Sequence, residues 1–118
     1  MEPISHFADA VIAGKTLYVS GLVATDAQGN IVGAGDVVEQ TRQIFRNLRR
    51  ILETAGATPS DVAKLTIFMR DVDQRPLINP VRQEFFGAHR PASTLVEVSA
   101  LVRPELLLEI EAVAQLPD

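Results

Sequence analysis

The chain has no cysteine in its 118 residues. That excludes a disulfide framework, a thiolate nucleophile and a thiolate metal site, and says nothing about compartment. Histidine is nearly as scarce. His6 and His89 are the only two, and no His-x-x-His or Glu-x-x-His spacing surrounds either. No metal site is therefore expected, and no motif calls for a cofactor. Basic residues are in deficit: 11 Lys and Arg against 15 Asp and Glu, a net charge of −4. This argues against nucleic acid as the main partner, because phosphate binding draws on a Lys/Arg excess. No apolar run reaches membrane-spanning length. The N-terminal MEPISHFAD has acids and a proline where a secretory leader needs a basic segment and an apolar stretch. Repeats, low-complexity tracts and linkers are also lacking. The expectation is a soluble cytoplasmic protein with a single domain over residues 1–118, whose 47% hydrophobic content suits a packed core.

Hydrophobic patterning supplies the elements. FADAVIAGKTLYVSG reads as two strands around Gly14-Lys15. Asp, Gly and Asn in TDAQGNIVGAGD mark turns, with Ile31-Val32 as a short strand between them. The clearest helix is DVVEQTRQIFRNLRRILETAG. Asp36 suits the N-cap and Glu39 completes a capping-box pattern. Val37, Ile44, Leu48, Ile51 and Ala55 recur at helical spacing, widened by Phe45 and Leu52, and Gly56 fits the C′ position. VAKLTIFMRDV is a strand with Leu65, Ile67 and Met69 on one face and Thr66 and Phe68 on the other. A second helix covers roughly residues 74–86. A mid-helix proline costs a hydrogen bond, so the cheaper reading makes Asn79 an N-cap and Pro80 the first helical residue. STLVEVSA and LLLEIEAVA are the last strands, joined by LVRPE. The order β-β-(β)-α-β-α-β-β indicates an α+β sandwich, a mixed sheet with two helices on one face. Apolar residues of both parities, Leu106, Leu108 and Ile110 against Leu107 and Val113, leave the other face to be covered by another subunit.

One strand poses a chemical question. LLLEIEAVA is built for burial, yet alternation puts Glu109 and Glu111 on one face. From the residues alone, such a pair belongs on a solvated face or in ion pairs.

The ordered set YVSG at 18–21, EQTRQIFRNLRRILETAGA, DVAKLTIFMRDV at 61–72, Asn79 before EFFG, PASTLVEV at 91–98 and EIEAVA at 109–114 resembles the Rid family (YjgF/YER057c/UK114) over nearly the whole chain. The resemblance implies a chorismate-mutase-like fold, a homotrimer, and a small-molecule cleft at each subunit interface. It also implies that Glu109, as the first acid of EIE, faces the cleft and positions the attacking water in enamine or imine hydrolysis. A wet interface tolerates a carboxylate that a sealed core rejects. Glu97 and Glu111 are expected to be structural.

The chain departs from the family pattern at three points. Deaminating members typically read PARS where this chain reads PAST, so Ser93 stands in place of the arginine that grips the substrate carboxylate. A hydroxyl supplies neither charge nor bidentate fork, and the usual 2-imino acid is expected to bind poorly unless Arg90, Arg82 or Arg103 reaches in. Phe7 keeps the ring of a common tyrosine but not its hydroxyl. Leu95 replaces a common cysteine and dries the cleft. Gly21, whose missing side chain lets backbone approach a ligand, and Asn79 are retained with Glu109.

Other constellations carry less. His6 reads as a surface turn residue beside Phe7. No G-x-S-x-G surrounds Ser20, and the glycines at 29, 33 and 35 do not form a phosphate loop. Arg42, Arg46, Arg49 and Arg50 flank the first helix without interleaved aromatics, and read as a solvated face with Glu39–Arg42 and Arg49–Glu53 pairs. The expected function is hydrolysis of an enamine or imine other than the usual 2-imino acid. The alternative is a non-catalytic metabolite-binding or protein-interaction module on the same trimer.

Overall fold

The computed structural model describes residues 8–118. The expectations for His6 and Phe7 fall outside that range. Strands β1 (Ala10–Ala13) and β2 (Thr16–Leu22) form the expected hairpin about Gly14, whose φ of 63° is what a tight turn asks of glycine. Helix α1 covers Val37–Thr54, β3 Val62–Met69, α2 Arg75–Phe86, β4 Ala92–Glu97 and β5 Leu108–Gln115. The sheet order is β1-β2-β5-β3-β4; β3 and β4 are parallel, and the other neighbours antiparallel. Both helices pack on one face of this mixed sheet.

The core lies between the layers. Leu17, Val19, Leu65, Ile67, Met69, Leu108, Ile110, Ala112 and Ala114 point from the sheet toward Ile44, Leu48 and Leu52 of α1 and Ile78 and Val81 of α2. Alternation leaves Tyr18, Lys64, Thr66, Phe68, Val96, Glu109, Glu111 and Val113 on the bare face.

Four local expectations are corrected. Ile31 makes only an isolated bridge to Thr25. The Asp36 carboxylate caps α1 by accepting from Val38 and Glu39 N–H, but the Glu39 carboxylate takes Arg42 at 2.8 Å instead of closing the capping box. Helix α2 begins at Arg75, with Pro76 in its first turn, so Pro80 lies inside the helix and Asn79 is an exposed helical residue, not an N-cap. Burial of Ile78, ahead of the expected start, outweighs the one hydrogen bond that Pro80 forgoes. β4 ends at Glu97, whose carboxylate accepts from Val72 N–H at 3.0 Å; the acid has a structural partner, a backbone amide.

A row of polar residues completes the α1 packing. Gln40, fully buried, donates to Gly33 O and Glu105 O and accepts from Leu107 N–H. Gln43 and Asn47 hold Thr25 O. These amides satisfy loop backbone that would otherwise be orphaned against the helix.

Candidate active site

Strand β2 carries one extra residue where it passes Glu109. Val19 opposes Ala112 and Leu22 opposes Ile110, so three steps on β2 match two on β5. The bulge brings Gly21 against the Glu109 side chain, a common use of bulges in aiming functional groups. A Cβ on Gly21 would lie 2.7 Å from Glu109 Cδ and 2.9 Å from Oε2. Glycine here is a steric requirement of the carboxylate's position.

Glu109 opposes Phe68 on β3 and stands two residues from Glu111. It is half-buried, and among the described residues no cation lies within ion-pair distance and its carboxylate accepts no hydrogen bond. Burial first, and the charge of Glu111 second, push its carboxyl above the ordinary glutamate range. A carboxylate of raised proton affinity, unpartnered among the described residues, suits general base work.

Next to it, a hollow of about 240 Å³ opens on the bare face, lined by Val11, Tyr18, Ser20, Lys64, Thr66 and Glu111 among others. Glu109 does not line it. Lys64 Nζ is held by Thr94 Oγ1, 2.6 Å away. Lys64 and Thr66 were not singled out from sequence, although the alternation of VAKLTIFM places them on the same face as Glu109.

The other candidates lie elsewhere in the single chain. Ser93 opposes Leu65, and Leu95 opposes Ile67, so both are on the helix side of the edge strand β4. Asn79 is on α2. Thus one chain brings Gly21 and Glu109 together, and Ser93, Leu95 and Asn79 to the opposite layer. Of the three proposed cations, Arg90 is spent on Gly87 O and His89 O, and Arg103 on Glu105. Arg82 donates to Ser93 Oγ at 2.9 Å.

The arginine flank of α1 is solvated as expected: Arg46, Arg49 and Arg50 are exposed, and Arg42 pairs with Glu39. Arg49 lies over the ring of Phe85, 4.9 Å from its centroid, and Phe85 stacks on Phe45. Among the described residues no Arg49–Glu53 pair forms. These residues also form no cluster of metal-ligating side chains, and no helix among them is long and apolar enough to cross a membrane.

Two helices on one face of this mixed sheet, with a half-buried glutamate on the bare face, define a protein of the YjgF/L-PSP fold class. The family model described as Endoribonuclease L-PSP matches residues 1–116. A RutC family protein of Pyrococcus horikoshii is 38% identical over 96% of this chain and 89% of its own length. The 3-aminoacrylate deaminase RutC of Acinetobacter baylyi is also 38% identical, over 95% of this chain and 88% of its own. The crystal structure of YyfA, a Rid family protein of unknown function from Yersinia pestis, superposes with a TM-score of 0.90 at 32% identity, covering 97% of this chain and 90% of that one. The chain belongs to the Rid family.

Proposed function

We propose that this protein hydrolyses an enamine or imine at Glu109, in clefts formed where the bare sheet faces of a homotrimer meet. The enamine tautomerises to the imine. The Glu109 carboxylate takes a proton from water as the water oxygen bonds to the C=N carbon. The nitrogen, which receives the C=N π pair, takes that proton back from Glu109 to give the carbinolamine; the carbinolamine hydroxyl then passes its proton through Glu109 to the nitrogen as the C–N bond breaks, so that one imine and one water become one carbonyl compound and one ammonia. The observation that carries this reading is the Gly21–Glu109 arrangement: a half-buried acid with no cation beside it among the described residues, and a backbone cleared to admit it. A relative named for deaminase activity, matched over nearly its full length, supports the reaction class. Exposed Val11, Tyr18 and Val96 on the bare face support its closure by further copies.

Ammonia release from freshly generated imines tests the reading. Turnover is expected in the wild type and a loss of about 10²-fold or more in Glu109→Gln, the usual worth of a general base. Saturable binding without turnover would leave the binding-module alternative in its place.

A further inference from the structure

Glu109 has unlike neighbours on its two sides. Strand β5 runs between β2 and β3, so its side chains can lean toward either. On the β3 side Phe68 stands directly opposite Glu109 in the antiparallel register, on the same face. Cβ atoms of such a pair lie roughly 5 Å apart, within reach of an aromatic ring. On the β2 side the bulge presents Gly21, which has no side chain. The Glu109 side chain takes the vacant side: Cγ, Cδ and Oε2 all lie within 3.0 Å of where a Cβ on Gly21 would be.

Core packing does not account for Phe68. Leu65, Ile67 and Met69 of the same strand face the helices and are fully buried, whereas Phe68 is half-buried on the bare face, outside the core cluster. Among the described residues it stacks on no other ring. What it borders is the acid. The titratable and charged groups that the register sets around Glu109 are Glu111 on β5, Tyr18 on β2, Lys64 on β3 and Arg70 just past its end; Glu97 of β4 pairs with Met69 and so belongs to the other face. Neither cation is within ion-pair distance of Glu109. Burial, ahead of Glu111, holds the Glu109 carboxyl above its ordinary range, and a ring set beside a carboxylate keeps water from that side.

We propose that Phe68 is a positioning residue for Glu109: its ring closes the β3 side, turns the carboxylate over Gly21 and shields it from water there. Phe68 fills one side and Gly21 empties the other, so the acid has one place to lie and is held there before substrate arrives. The effect on rate rests on the imine-hydrolysis reading above; the placement of the acid does not.

Carboxyl-carbon NMR titration of the full chain reads this placement without turnover, the Glu109 signal being assigned by its loss in Glu109→Gln. Phe68→Ala is expected to move the Glu109 midpoint to lower pH, because water regains the β3 side. Phe68→Leu keeps apolar bulk and is expected to hold most of the wild-type midpoint. A midpoint that Phe68→Ala leaves unchanged, or that Phe68→Leu lowers as far as alanine does, overturns the proposal. If Phe68→Ala does not fold, Phe68→Val, which suits a strand, should give a smaller shift of the same sign, and no shift overturns it. In ammonia release from a freshly generated imine, Phe68→Ala should lower kcat by about 10- to 100-fold with KM changed less, the result of a misplacement on the order of 1 Å. The rising limb of its pH profile should follow the NMR midpoint. An equal loss of kcat in Phe68→Leu would again count against the ring. A wild type that turns over no imine would remove the hydrolysis reading, and the NMR comparison would still decide whether Phe68 sets Glu109.

Discussion

Gly21 and Glu109 occupy one another's space: the volume a methyl group would need on Gly21 is filled by the Glu109 carboxyl, 2.7 Å from the ideal Cβ position. The extra residue in β2 creates the approach, and the absence of a side chain at its centre preserves it.

Gly21→Ala is therefore expected to damage the chemistry far more than the fold. Gly21 does not have a left-handed φ, so alanine fits its backbone. The Glu109 side chain must swing away, at a rotamer cost of about 1 kcal/mol. A displacement near 1 Å can cost on the order of 10²-fold in rate. Thermal unfolding and ammonia release on the same preparation check this. The Gly21→Ala, Glu109→Gln double variant should be no slower than Glu109→Gln alone, because the lost group is the same.

The pH dependence should carry the two causes that raise Glu109. A general base works ionised, so kcat/KM should climb with pH through a value above the ordinary glutamate range. Glu111→Gln removes the like charge two residues away and should move that limb toward lower pH. It should not restore the ordinary value, since burial is the larger cause. A limb that ignores Glu111→Gln would remove the electrostatic account.

Stability should respond with the opposite sign. The folded chain holds a proton on Glu109 that the unfolded chain has already released, so stability falls as pH rises from the unfolded glutamate pKa through the higher folded one. Glu109→Gln removes this term. The variant should gain on the wild type as pH is raised across that window and lose the advantage below it. Urea midpoints at acidic and neutral pH decide this.

Helix α1 and strand β3 were legible because each carries one strong period along one chain segment: Asp36 and Gly56 bracket the helix, and Leu65, Ile67 and Met69 alternate to the core. The start of α2 was not, because a local rule about Pro80 competes with the burial of Ile78, which only the packed layers reveal. Glu109 and Glu111 were placed on one face by parity, and given a role through family resemblance. Ser93 and Arg82 illustrate the limit. Their contact joins a helix to a parallel edge strand, and which way Ser93 faces depends on its pairing with Leu65, a long-range register that short-range spacing does not encode.

Gln40 extends that limit into the core and gives a last test. Its polarity argues against a core place, yet it is fully buried and its amide meets three backbone groups from two loops. Gln40→Ala would orphan Glu105 O and the Leu107 N–H, leave Gly33 O with the Asp36 N–H alone, and open a void among them. An expected loss of about 2–4 kcal/mol follows from leaving buried polar groups unpaired. Gln40→Leu, of similar volume, fills the space but pairs none of these groups, so it should recover little of that loss. Denaturant unfolding separates the cases. Full recovery by leucine would mean that the amide serves only as filler, while failure of both would show that α1 holds the turn at Gly33 and the approach to β5 through these bonds.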